Sequence, residues 1–251
     1  MTNNSLPSDI GVIVSLALKE DIGDGDITSA LIPENLEVKA NIICKENSIL
    51  CGIPWVQEAY DKIDNSLQIK WKFKEGDNIR VGDKVAGIIG NARAILSGER
   101  TVINFLQTLS GTATTTAKYL AAIRGTSTKL LDTRKTLPGL RTAQKYAVKI
   151  AGGSNHRVGL YDAYLIKENH IKSCGNISNA IAEARKMNPC KTLEVEVQNL
   201  EEFKEALRLK PNIIMLDNFE LADMKKAVAI NSNSVKLEVS GGVNLESLAN
   251  I

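Results

Sequence analysis

Thr192-Leu193-Glu194-Val195-Glu196-Val197, the helical pattern Leu200–Leu209 and then Asn212-Ile213-Ile214-Met215-Leu216-Asp217 form the stretch that decides the fold. Strand, helix and strand follow one another with linkers of two residues, and such alternation produces a parallel sheet. The same unit recurs outward. Strand patterns lie at Lys129–Arg134, Ala163–Lys167 and Lys236–Ser240, with helical patterns near Leu140–Ala151, Asn176–Met187 and Glu220–Ile230. Five strands with no Gly-x-Gly-x-x-Gly after the first favour an α/β barrel of the TIM type over a Rossmann sheet. The chain stops at Ile251, early in a helix, so the expectation is an incomplete TIM-like α/β barrel without its last strand.

The N-terminal part reads differently. From Leu36 to about Gly90 the pattern is short and strand-like. The run Phe73–Gly90 alternates apolar and polar residues around Gly-Asp turns. It resembles half of a biotinyl or lipoyl carrier motif but presents no lysine at a hairpin tip. Val102, Phe105, Leu106 and Leu109 then form an amphipathic helical stripe. Gly111 is expected to interrupt it, with a second helical stretch over Thr114–Ile123. This gives an N-terminal α+β sandwich domain over 1–112, and a barrel domain over 113–251 that lacks its C-terminal end.

Composition excludes several classes. Of 251 residues, 43% are hydrophobic and 24% charged, and the net charge is +2. No global field points to nucleic acid. No apolar stretch reaches the roughly 18 residues of a membrane span. Met1–Ile10 carries no basic residue and no signal core, so the expected location is the cytosol. Cys44, Cys51, Cys174 and Cys190 form no Cys-x-x-Cys pair, and the only histidines are His156 and His170. That set reads as four reduced thiols, not as structural zinc.

The strand ends carry the chemistry. They deliver Arg134 with Lys135, Lys167, Glu196, Asp217, and Ser240 with Gly241 and Gly242. In a βα barrel these positions build the active site. Residues at i and i+2 share a face. Glu194 and Glu196 therefore face one way and Leu193, Val195 and Val197 the other, while Asp132 goes with Arg134 and Glu238 with Ser240. Charged faces pointing into a barrel call for a polar ligand or for paired charges. The loop Gly152-Gly153-Ser154-Asn155-His156-Arg157 adds donors, and its glycines could let backbone N–H groups approach an anion. Arg134, Lys135, His156, Arg157 and Lys167 are expected to converge on one mouth, suited to carboxylates and phosphates. Glu196 and Asp217 suit sugar hydroxyls and Mg²⁺.

Leu131–Arg141, Lys145–Val148, Gly152–Arg157, Gly159-Leu160 and Leu165–His170 together resemble the quinolinate phosphoribosyltransferase family. Glu20–Thr28, Glu99–Asn104, Glu194–Glu196, Leu216–Asn218 and Glu238–Gly242 resemble its remaining motifs. The resemblance covers nearly the whole chain. It implies transfer of phosphoribosyl from phosphoribosyl pyrophosphate to quinolinate with loss of CO₂, assisted by Mg²⁺, in de novo NAD biosynthesis. It also implies that Arg134, His156, Arg157 and Lys167 hold the quinolinate carboxylates, with Lys135 nearby toward phosphate and Thr133 a further substrate-binding residue. Glu196 and Asp217 would bind ribose hydroxyls and metal; Ser240 and Gly241 would take the 5′-phosphate, and Gly242 beside them is a further substrate-binding residue. Lys135, Lys167, Glu196 and Asp217 are the expected catalytic set. The residue matching Arg100 reaches a partner subunit's site in the family, which implies a homodimer with shared active sites. Departures from the family are Ala151 in place of a glycine, Leu137 in place of a threonine, and the missing tail, which bears on barrel closure and phosphate binding. The rival readings are a related phosphoribosyltransferase-like protein associated with molybdate transport, a sugar-phosphate lyase or aldolase with Lys167 as Schiff base, and a carrier module over residues 36–90.

Overall fold

The computed structural model describes residues 6–248 and residue 250. Residues 1–5 of the stretch read for a leader, and the chain end at Ile251, lie outside the described residues. The chain divides after His156 into two compact units, each with its own apolar core.

The first unit begins with α1 (Ile10–Ile22) and a 3-10 turn over Ser29–Leu31. Next come β1 (Glu37–Ile43), β2 (Ser48–Ile49), α2 (Ile53–Ile63), β3 (Gln68–Trp71), β4 (Asn78–Ile79) and β5 (Lys84–Asn91). It ends with α3 (Ala92–Ala122) and α4 (Arg141–Ile150). The expected β module is present, with β5 between β1 and β3, antiparallel to both, and β2 paired with β4. The sequence reading missed α1 and α2, the latter standing inside the module.

The break expected at Gly111 is absent, because α3 runs through it as one helix. A glycine inside a helix costs about 1 kcal/mol against alanine. Burial of Val102, Phe105, Leu106, Leu109 and Ala113 along one stripe outweighs that cost. The helix is also stitched to the chain between β2 and α2. Ser110 Oγ accepts from the Cys51 N–H at 3.0 Å and donates to the Cys51 carbonyl at 3.1 Å, and Thr114 Oγ1 accepts from Ile49 N–H at 2.9 Å. Gly98 lets α3 lie directly on α2: a Cβ there would sit 2.7 Å from Tyr60 Cε1 and 2.8 Å from Ile63 Cδ1.

Glu75 reaches back from the turn before β4 to cap α2. Its Oε1 accepts from the Gly52 N–H at 2.8 Å and the Ile53 N–H at 2.5 Å, satisfying donors that the helix itself leaves open. Burial pushes the Glu75 carboxyl up from its ordinary value, and the backbone donors offset this only in part.

The second unit runs β6 (Ala163–Ile166), α5 (Glu168–Cys174), α6 (Ile177–Met187), β7 (Thr192–Val197), α7 (Leu200–Leu209), β8 (Ile213–Asp217), α8 (Leu221–Asn231), β9 (Lys236–Ser240) and α9 (Leu245–Leu248). The strands form one parallel sheet in the order β6-β7-β8-β9. This is the mixed α/β repeat read from the sequence, with α5 as an element not anticipated. Asn176 and Asn199 cap α6 and α7, their side chains accepting backbone N–H groups of the first turns.

The expected strand Lys129–Arg134 is a correction. It lies in the first unit and contributes only an isolated parallel bridge, Leu131 to Ser154. The chain then turns, because the Thr133 hydroxyl takes the Lys135 N–H at 2.9 Å and diverts the backbone from a ladder. The parallel sheet therefore has four strands, and among the described residues it stays open.

Register fixes what each face carries. Leu165 pairs with Glu194, Glu194 with Ile213, Glu196 with Met215, Met215 with Glu238, and Asp217 with Ser240. Paired residues in a sheet point the same way. One face thus bears Glu194, Glu196, Asp217, Glu238 and Ser240. The other bears Ile166, Leu193, Val195, Val197, Ile214 and Leu216, all within the second core.

The last strand ends at a glycine that tolerates nothing larger. Gly241 has φ +82°, and a Cβ there would fall 2.1 Å from Asn218 Oδ1 and 2.8 Å from the Asn218 backbone nitrogen. Asn218 N–H in turn donates to the Ser240 carbonyl at 3.0 Å.

Two outcomes are expected. Gly241→Ala should destabilise the protein by about 1–3 kcal/mol in urea unfolding, from overpacking and a disfavoured φ; unchanged stability would refute the close approach. Glu75→Gln should change the pH dependence. Folded Glu75 holds its proton more tightly than the unfolded residue does, so its contribution is fully present below the unfolded carboxylate range. That contribution is lost as pH rises through the raised folded value. Urea midpoints measured from about pH 4 to 7 should fall less steeply for the Gln variant, and parallel curves would remove Glu75 as the cause.

Candidate active site

In the first unit the site residues hang on a buried pair. Lys145 projects from α4 and forms an ion pair with Asp132, and their side chains are 5% and 7% exposed. Lys145 Nζ also donates to the His156 carbonyl at 2.9 Å, and the His156 N–H donates to Asp132 Oδ1 at 2.9 Å. Asn155 Nδ2 bridges the pair, donating to Asp132 Oδ2 and to the Lys145 carbonyl. Removing one member of such a pair strands a buried charge at a cost of about 3–5 kcal/mol.

Thr133, Arg134 and Lys135 follow directly on Asp132. Thr133 and Lys135 are exposed and Arg134 is half-buried. The Arg134 Nε is buried and has no hydrogen-bond partner among the described residues. A buried guanidinium donor without an acceptor is the kind of group that a carboxylate ligand satisfies. Arg100 lies exposed on α3, beside the buried Thr101 and Val102.

The glycine loop corrects an expectation. The N–H groups of Gly152, Gly153 and Ser154 donate to the carbonyls of Lys149, Val148 and Leu130 at 3.0, 2.9 and 2.8 Å. They close the end of α4 and hold the Leu131–Ser154 bridge, so they are not the anion cradle read from Gly152-Gly153. Ala151 sits at φ −73°, a helical value open to any residue, so its replacement of a family glycine carries no strain.

In the second unit, Lys167 stands at the end of β6 and pairs with Glu196 of β7. The Lys167 side chain is 45% exposed and that of Glu196 10%. This is not the desolvated amine that a Schiff-base lysine needs. His170, quoted with the same motif, is structural: its Nδ1 accepts the Lys167 N–H at 3.0 Å and caps α5. Arg157 Nη1 donates to the Ala163 carbonyl at 3.2 Å, and Val158 N–H donates to Asp162 at 2.7 Å. Asp217 accepts from Asn218 Nδ2 at 3.0 Å, and Asn218 holds φ +56°. Ser240 ends β9 beside Gly241 and Gly242.

The predicted residues therefore fall into two chemical sets. Arg100, Thr133, Arg134, Lys135 and His156 belong to the first unit and carry donors and positive charge. Arg157, Lys167, Glu196, Asp217, Ser240, Gly241 and Gly242 belong to the second, which adds two carboxylates. Sequence reasoning named Asp132, Lys145, Asn155 and Asn218 within motifs but gave none of them a place in the site. A signal for Lys145 was available: it stands among Ala143, Tyr146, Ala147 and Val148, all buried on α4, a run where a lysine needs a partner.

Residues 26–110 match the model of the quinolinate phosphoribosyl transferase N-terminal domain, and residues 112–251 that of the C-terminal domain. A Bacillus subtilis protein named probable nicotinate-nucleotide pyrophosphorylase (carboxylating) is 40% identical over 230 residues, covering 91% of this chain and 80% of its own length. A Nicotiana tabacum protein named quinolinate phosphoribosyltransferase (decarboxylating) 1b is 37% identical over 264 residues, 97% of this chain and 75% of its own. The solved structure of the Francisella tularensis nicotinate-nucleotide pyrophosphorylase superposes with a TM-score of 0.95 at 46% identity, covering 99% of this chain and 89% of that one. The chain belongs to the quinolinate phosphoribosyl transferase family.

Proposed function

We propose that this protein transfers the phosphoribosyl group of phosphoribosyl pyrophosphate to quinolinate, giving nicotinate mononucleotide, pyrophosphate and CO₂ in de novo NAD biosynthesis. The observation that carries the reading is 40% identity, over 91% of the chain, to a relative named for the carboxylating pyrophosphorylase. The site's charges support it, since one substrate is a small dicarboxylate and the other a sugar bearing phosphates. The molybdate-transport reading draws no support from the relatives described above.

In this reading Arg134, His156, Arg157 and Lys167 grip the quinolinate carboxylates, and Thr133 and Lys135 serve the phosphates. The ring nitrogen forms a bond to the ribose carbon as the bond to pyrophosphate breaks. Glu196 and Asp217 bind ribose hydroxyls and offset positive character on that carbon. The 2-carboxylate then leaves as CO₂, its electrons drawn by the cationic ring nitrogen, and a proton takes its place. Ser240, Gly241 and Gly242 take the 5′-phosphate. No general base or covalent nucleophile is needed, so Lys135, Lys167, Glu196 and Asp217 act by charge and position.

Glu196 and Asp217 offer carboxylate oxygens on one face of the sheet, the hard donor set that Mg²⁺ accepts together with ligand phosphates. Bound there, Mg²⁺ supplies charge neutralisation for the departing pyrophosphate. We propose a cytosolic location, in keeping with the composition and motifs of the sequence. Among the described residues no helix is long and apolar enough to cross a membrane.

The direct test is release of labelled CO₂ from carboxyl-labelled quinolinate, with and without phosphoribosyl pyrophosphate and Mg²⁺. Release should require both. Arg134→Ala should weaken quinolinate binding by about 2–4 kcal/mol. Glu196→Ala and Asp217→Ala should instead raise the KM for the sugar pyrophosphate. CO₂ release independent of the sugar pyrophosphate would refute the reaction. Unaltered KM values in these variants would refute the roles.

We also propose a homodimer in which Arg100 enters the partner's pocket, resting on the family resemblance and on its exposure on α3. Arg100→Ala and Arg134→Ala, each inactive alone, should regain activity when refolded together. A mixture that contains heterodimers and stays inactive would confine Arg100 to its own chain or to no role.

A further inference from the structure

We infer that Lys145 and Asp132 are positioning residues that aim the His156 imidazole, and through it set recognition of an aromatic dicarboxylate. The second half of the statement rests on quinolinate being the substrate; the first does not. Neither side chain is a substrate ligand in this scheme, because burial leaves them 5% and 7% exposed.

Their partners are what matter. Asp132 Oδ1 takes the N–H of His156, and Lys145 Nζ takes the carbonyl of the same residue, both at 2.9 Å. The two side chains are also paired with each other. The peptide groups on both sides of His156 are thus tied to one rigid ion pair. With both peptide planes fixed, the direction of the Cα–Cβ bond is fixed as well. Asn155 Nδ2 closes the ring from the preceding residue, donating to Asp132 Oδ2 and to the Lys145 carbonyl at 2.9 Å.

The ion pair suits the task better than a neutral one. A carboxylate has enough lone pairs for three donors at once, here from Lys145, Asn155 and His156. An ammonium has three protons to share between Asp132 and the His156 carbonyl. Asp132 also directly precedes Thr133-Arg134-Lys135, so the same carboxylate anchors the start of the other cationic segment. A misplacement of about 1 Å in such a grip is enough to lose most of its benefit.

The experiment uses the full chain and reads His156 itself. There are two histidines, so isotope-labelled imidazoles give two resonances, assigned with His170→Gln. Two variants are compared: Asp132→Asn/Lys145→Met, which removes the pair without stranding a charge, and Asn155→Ala, which changes no charge and substitutes an exposed residue. In both, the His156 resonance should move and that of His170 should not. Calorimetry should show quinolinate binding weakened by roughly tenfold or more in the double variant. A His156 resonance unmoved in Asn155→Ala overturns the positioning role, and it does so even if the double variant fails to fold. A moved resonance with unchanged quinolinate affinity overturns the link to recognition. Wild-type protein that does not bind quinolinate would overturn the substrate reading alone, since the resonances still decide the positioning.

Discussion

Each residue of a parallel strand has only two directions to point, and in the second unit the helices claim one of them. Leu193, Val195, Val197, Ile214 and Leu216 are each at most 3% exposed on the face that joins the core formed with α6, α7 and α8. Full burial of one such side chain contributes about 1.5–3 kcal/mol, so the register cannot slip by a residue without turning this face to the wrong side. What remains for the other face is Glu194, Glu196, Asp217, Glu238 and Ser240. The carboxylate set is thus placed by the packing demands of the apolar residues on the opposite face.

The first unit solves the same problem by other means. Its site segments have no strand to order them. A buried ion pair takes over that role: Asp132 sits at the isolated bridge, Lys145 comes from α4, and the backbone of His156 is held by both. Such a pair is a weak source of net stability, because desolvation offsets much of the Coulombic attraction. Its value lies in geometry. The glycine loop serves the same end, spending its N–H groups on the chain itself.

The proposed substrates call for both kinds of group. A dicarboxylate is best held by guanidinium and ammonium groups, while a sugar carrying phosphates needs carboxylates for its hydroxyls and for a hard cation. In the proposed reaction, fixed charge would act on a ring nitrogen that becomes cationic and a leaving group that becomes more anionic. Lys167 and Glu196 carry both signs in one pair.

The sequence alone determined the βα repeat, because apolar alternation and short linkers are local properties. The strands Thr192–Val197 and Lys236–Ser240 and the helix Leu200–Leu209 appear with the boundaries read from periodicity. It also determined which charged residues end those strands, and the motif resemblance named the family that the comparisons then gave. It failed where a distant contact overruled a local signal. Gly111 reads as a helix break, yet α3 passes through it because its apolar stripe is buried on both sides. Lys129–Arg134 reads as a strand, yet a threonine side chain turns the backbone away. Gly152-Gly153 reads as an anion cradle, yet its donors are taken by Lys149 and Val148. Lys145, thirteen residues from Asp132 along the chain, reads as one more helical lysine. Only the tertiary structure decided that it is buried, because the partner that makes its charge tolerable is supplied from a different segment by the folding of the chain.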